Sequence, residues 1–219
     1  MGRGYIAIEG HGEVQAVHNL VVRLWQDLGL GPMIWATPPS RALSITTRAG
    51  VSKTCALARS KPDADSLLIL RDADDEKDCP KDRGPETAGW VRDESLPFPC
   101  AVVLFRREYE TLFLPCLHRM AGVPLRDDRN VERPGLVAGT VYQGEYESTR
   151  GVKEWLSKHM PKGRSYKPTV DQLALTRLID FGDLRRAGLA SFGTLERALR
   201  FLDAERGRPG VYPPPPDKY

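Results

Sequence analysis

Two short acidic motifs could do chemistry in this sequence. Glu9-Gly10-His11-Gly12-Glu13 follows an apolar run at residues 5–8, and Asp72-Ala73-Asp74-Asp75 follows a second at residues 67–70. A third run, residues 101–105, leads into Arg106-Arg107-Glu108-Tyr109-Glu110. Apolar runs of this length read as strands, and in a parallel sheet ligands bind beyond the carboxyl ends of the strands. Carboxylates gathered there repel one another, and they stay ionised together only with a cation between them. A hard divalent ion, Mg²⁺ or Mn²⁺, suits oxygen ligands that leave room for water. The first run delivers Glu9 and Glu13 to that edge, the second Asp72, Asp74 and Asp75, and the third Glu108 and Glu110. Gly10 and Gly12 would let the backbone turn sharply and a substrate come close. The plainer reading is that acids after a strand are solvated loop, with Glu13 favouring a helix N-terminus.

The elements that must position these acids follow from periodicity. Val14, Val17, Val21, Leu24 and Leu28 recur at spacings of three and four, the stripe of an amphipathic helix ended by Gly29 and Gly31. Residues 33–36 read as a second strand and residues 52–59 as a short helix. Strands alternating with helices predict an α/β fold with a mostly parallel sheet flanked by helices. Beyond residue 121 the texture changes to loops and helices. Val152, Trp155 and Leu156 suggest one helix, and Thr169-Val170-Asp171-Gln172 reads as a capping box opening another. Phe192, Leu195, Leu199 and Leu202 give a last helix with Ser191 as its expected cap. Residues 212–216, Tyr-Pro-Pro-Pro-Pro, read as an extended or disordered end. The expected organisation is an α/β domain at 1–120 and a loop and helical extension at 121–219.

The 219 residues carry a net charge of +3 from 32 basic and 29 acidic side chains, too mild to argue for nucleic acid alone. No apolar run approaches the ~20 residues that span a bilayer, so no membrane partner is expected. The N-terminus lacks the features of a secretory leader. Cys55, Cys79, Cys100 and Cys116 form no C-x-x-C pair, which fits a reducing cytoplasm.

A strand-borne Glu followed by Gly, with a later strand followed by Asp-x-Asp, resembles the Toprim domain of topoisomerases, primases and OLD-type nucleases. Glu9-Gly10 and Asp72-Ala73-Asp74 match that pattern, and Glu13 looks like the further acid of the OLD-type version. A closer resemblance, over most of the chain, is to a Toprim-like family known only as a domain of unknown function. It is carried by the segments at residues 8–13, 72–75, 78–80, 107–110 and 166–172, followed by Ser191-Phe192. Arg71 departs from the pattern, standing where an apolar residue is expected, and residues 75–78 look stretched. The resemblance implies a Toprim-like fold and metal-dependent phosphodiester chemistry. Asp72 and Asp74 would hold the metal, Glu9 would ligate or act as general acid/base, and Glu13 could complete a second position. Lys167 would stabilise developing negative charge, or is a surface lysine. Glu110 is an outer ligand, or a carboxylate anchoring the C-terminal segment. Arg71 orients the acids, touches phosphate, or makes a plain ion pair.

Other motifs fail. Gly50-Val51-Ser52-Lys53-Thr54 lacks phosphate-loop spacing. Residues 72–83 lack the Gly and Glu of a calcium loop. Cys116-x-His118 has no second pair for zinc. The Asp-x-Asp of haloacid dehalogenase phosphatases normally sits near the N-terminus. The expected function is therefore a metal-dependent nuclease, DNA in preference to RNA being its partner, acting as effector of a bacterial defence pair. The alternative is a non-enzymatic interaction subunit of a separate ATPase. Phosphate contacts are expected from Arg106, Arg107, Arg177, Arg185 and Arg186.

Overall fold

The computed structural model describes residues 2–9, 13–37, 40–41, 44–73, 79–127 and 130–215. Among these, six strands form one parallel sheet: β1 (Arg3–Ile8), β2 (Ile34–Trp35), β3 (Ser40–Arg41), β4 (Ala64–Ala73), β5 (Pro99–Arg106) and β8 (Gly210–Tyr212). The order is β2-β1-β4-β5-β8, with β3 also pairing β1. Two further strands, β6 (Leu125–Arg126) and β7 (Glu132–Arg133), form a small antiparallel pair. The α/β expectation holds, and all the sheet's carboxyl ends lie along one edge.

The sheet is buried on both faces, which is why β4 and β5 read as unbroken apolar runs. On one face α2 (Arg48–Arg59) and α3 (Pro80–Asp93) cover Ala7, Leu67, Ile69, Val102 and Leu104. On the other, α1 (Glu13–Asp27) covers Ile6, Ile8, Leu68 and Leu70. The same core takes in the C-terminal helices: α5 (Val152–Lys158), α6 (Leu173–Thr176), α7 (Phe181–Ala187) and α8 (Ala190–Ala204). Arg23 on α1 donates to the carbonyls of Thr176 (2.8 Å) and Ile179 (2.6 Å), and its guanidinium lies over Phe181. These contacts, with β8 on the edge of β5, tie the residues beyond 121 to the sheet.

After β5 the chain enters a 3-10 helix, Tyr109–Cys116, that runs into α4 (Leu117–Met120). Before α6 it makes a π-helical turn, Pro168–Gln172. The stripe ending at Gly29 is borne out: α1 stops at Asp27, and Gly29 takes φ +64°, which favours glycine. The phosphate-loop lookalike lies within α2, where Thr54 Oγ1 donates to the carbonyl of Gly50 (2.9 Å).

Two expected caps are not found. Thr169 opens no helix. The turn starts at Pro168, and Asp171 reaches back to accept from the Lys167 backbone N–H (2.9 Å). Ser191 lies inside α8, and its Oγ accepts from the Arg106 backbone N–H (2.8 Å), tying α8 to the end of β5. The first N–H groups of α8 go instead to Glu147, which accepts from Ala190 (2.9 Å) and Ser191 (2.8 Å). At the proline-rich end Tyr212 closes β8 and Pro213 O accepts from Arg92, while Pro216 lies outside the described residues.

Among the described residues no helix is long and apolar enough to cross a membrane. Because Glu147 caps a 15-residue helix from a distance, Glu147→Ala is expected to lower stability by about 1–2 kcal/mol. Equilibrium urea unfolding measures this, and an unchanged midpoint would show that the cap contributes nothing.

Candidate functional site

The parallel register fixes where the acids lie. Ile8 pairs with Leu70, Leu70 with Val103, and Asp72 with Phe105. Glu9 thus directly follows the end of β1, and Asp72 is the penultimate residue of the neighbouring β4. Asp72 follows Leu68 and Leu70 in the alternation, on the face covered by the C-terminal helices. Beyond β5, Arg107 takes φ +74°, and the chain turns into the 3-10 helix that carries Glu110.

Glu110 has no exposed surface. One oxygen, Oε1, accepts from the Tyr166 hydroxyl (2.8 Å) and from Gln172 Nε2 (3.1 Å). The other, Oε2, is buried, accepts no hydrogen bond among the described residues, and faces the Lys153 ammonium at 3.6 Å. The same ammonium lies 3.8 Å from Asp72 Oδ2, and the Asp72 side chain is only 12% exposed. At the start of α5 the Lys153 backbone N–H donates to Glu108 (3.2 Å). One cation therefore serves two carboxylates delivered by different strands.

Burial governs the Glu110 carboxyl and the Tyr166 phenol. It pushes the Glu110 carboxyl up to about 7, against the pull of Lys153 and the Tyr166 hydrogen bond. Burial and the neighbouring Glu110 likewise raise the Tyr166 phenol, so it stays a donor.

The fate of each predicted site residue can now be stated. Glu110 anchors the C-terminal segment through Tyr166 and Gln172. Asp72 and Glu110 are brought together by Lys153, and Glu9 is half-buried at the adjacent strand end. Glu13 opens α1, but its side chain lies outside the described residues, as does the whole of Asp74. Among the described residues, no three His, Cys, Asp or Glu side chains gather closely enough to hold an ion. Lys167 is exposed and makes no ion pair with Glu9, Asp72 or Glu110 among the described residues; only its backbone enters the network, through Asp171. The lysine that reaches the acids is Lys153, which sequence reasoning missed. Its only signal is its place at a helix start, close after Arg150-Gly151. Arg71 is buried within β4, and Nη1 reaches the Asp72 carbonyl at 3.3 Å.

Three expected phosphate contacts are occupied otherwise. Arg185 pairs with Asp27 and with Glu196 (2.7 Å), Arg186 pairs with Asp183, and Arg177 donates to the Arg126 carbonyl (3.4 Å). The zinc-like pair is structural: Cys116 is buried, its thiol pushed up to about 11, and His118 meets Asp183 at 3.3 Å.

Neither family models, curated proteins nor solved structures give a match to this chain.

The Glu110 carboxyl has a pH signature. Its folded pKa lies above the ordinary glutamate value of 4.5, so between that value and about 7 the folded state binds more protons than the unfolded. Stability in EDTA should then fall as pH rises through that window, by at most roughly 3 kcal/mol, and level off above it. Glu110→Gln should flatten the fall, as read from melting temperature against pH. An unchanged slope would contradict the assignment.

Proposed function

We propose that the chain is a metal-dependent, Toprim-like phosphodiesterase acting on nucleic acid in a cytoplasmic setting. The observation that carries this is the cation position shared by Asp72 and Glu110 at the carboxyl ends of β4 and β5, beside Glu9. A buried carboxylate oxygen turned toward a neighbouring ammonium is a donor suited to a hard cation. Asp72 and Glu9 are the candidate ligands within the described residues, Glu110 standing behind them, while Glu13 and Asp74 are carried by the sequence resemblance. When bound, Mg²⁺ or Mn²⁺ would polarise a phosphoryl oxygen and lower the pKa of an attacking water.

The chain's own residues supply the rest. As the alternative to ligating the metal, Glu9 would take a proton from water approaching the phosphate. Lys153 adds a positive charge beside the acids, suited to the negative charge that develops on the phosphoryl group. Tyr166 and Gln172 hold Glu110 in one orientation, which fixes the ammonium in turn. Sheltering the cluster between β4, the 3-10 helix and α5 limits solvent screening of these charges.

The test pairs binding with cleavage. Millimolar Mn²⁺ should raise the melting temperature of the wild type and leave Asp72→Asn unmoved. Cleavage of plasmid, linear or single-stranded substrates should need the metal and fall on the order of 100-fold or more in Asp72→Asn and Glu9→Gln. Cleavage that survives both substitutions would overturn the proposal. A metal shift without cleavage of any substrate would favour a non-enzymatic subunit that works with a separate ATPase.

A further inference from the structure

A cleft of about 630 Å³ opens at the other side of β5's carboxyl end, between α3, the start of α8 and β8. Its floor is apolar, including Val102, Leu104 and Pro85, and its walls carry Lys81, Arg106, Arg107 and Arg197. No carboxylate lines it among the described residues. The volume lies within the range of ligand pockets, roughly 300–1,000 Å³.

The four cations differ from several arginines elsewhere in the chain. Arg119, Arg164, Arg185 and Arg186 each pair with an acid. Among the described residues Lys81, Arg106, Arg107 and Arg197 pair with none. Arg197 is instead aimed by neutral groups, donating from Nε to the Tyr212 hydroxyl (3.1 Å) and from Nη2 to Thr194 (2.9 Å). Arg107 Nε is buried with no hydrogen-bond partner among the described residues, on a backbone at φ +74°. An unsatisfied guanidinium N–H costs stability, and a strained non-glycine backbone adds to it, a combination that recurs at ligand sites. The N-terminus of α8, which also borders the cleft, cannot be the anion site, because Glu147 already takes its first N–H groups. The attraction for anions comes from the side chains.

We propose that this cleft holds a single-stranded segment of the nucleic-acid substrate, with backbone phosphates on Arg106, Arg107, Arg197 and Lys81 and an unstacked base over the apolar floor. This rests on the proposed function for its substrate class. A duplex offers phosphates but keeps its bases stacked, so the floor would go unused; a single strand uses both. The cleft and the acid cluster lie on either side of one strand end, since Ala73 lines the cleft and the preceding Asp72 meets Lys153. A strand lying in the cleft would thus continue toward the acids.

Cys79, at the start of α3, also lines the cleft and is the exposed one of the four free cysteines. It reports occupancy without any substitution. In EDTA, where cleavage is off, a ten-nucleotide oligothymidylate should slow maleimide labelling of Cys79 several-fold, and a duplex of equal length should not. The ribose form of the same strand serves as the RNA arm, and protection by it supports the cleft equally. By fluorescence anisotropy at about 0.1 M salt, Arg106→Ala and Arg197→Ala should each weaken oligonucleotide binding about fivefold and lower the salt slope by about 0.7. Arg185→Ala, whose guanidinium is held by Asp27 and Glu196, should bind as the wild type does. Labelling at an unchanged rate under saturating oligonucleotide, or no binding even at low salt, would overturn the proposal. If metal-dependent cleavage is still lost in Asp72→Asn, the nuclease reading stands while the cleft falls.

Discussion

A carboxylate with no exposed surface, Glu110, sits just beyond the end of β5 and has to be compensated where it lies. Left alone, a buried carboxylate would cost several kcal/mol or give up its charge. Its compensation comes from residues far along the chain: the Tyr166 hydroxyl, the Gln172 amide and the Lys153 ammonium. The segment holding these three is fixed at the strand edge by these contacts together with Val152, Leu156 and Tyr166, which are buried in the core. The same requirement draws α5 against the strand edge and sets Lys153 between Asp72 and Glu110. The arrangement at the carboxyl edge is therefore a product of the C-terminal segment as much as of the sheet.

Much of this edge was legible in the amino-acid order. The runs at residues 5–8, 67–70 and 101–105 are apolar because β1, β4 and β5 are covered on both faces, and the acids appear where the cover ends. The α1 stripe shows because its helix is long and faces one core. The alternative that Glu110 anchors the C-terminal segment matches the hydrogen bonds found.

What stayed hidden has physical reasons. Lys153 carries no periodic signal, since its importance depends on acids brought near only by folding. The supposed caps at Thr169 and Ser191 had the right residue types, but the turn at Thr169 starts one residue earlier, where Asp171 takes the Lys167 N–H. Ser191 is claimed by the Arg106 N–H, and the donors of α8 are claimed by Glu147, a residue 43 and 44 positions away. Helix α3 was missed because Pro80, Gly84, Pro85 and Gly89 break its pattern, although Pro80 suits a first helical turn. Helix α7 buries Phe181 and Leu184 with a carboxylate, Asp183, beside them, so no apolar stripe stands out.

The central claim is that carboxylates from neighbouring strands share a place for a divalent cation, beside a lysine that otherwise balances them. Anomalous scattering from a crystal grown in Mn²⁺ tests it most directly. The account predicts a peak within about 2.0–2.2 Å of an Asp72 oxygen, ordinary for a small hard cation. A crystal equilibrated in Mn²⁺ that shows no peak near Asp72, with the Lys153 ammonium still bridging Asp72 and Glu110, would contradict it.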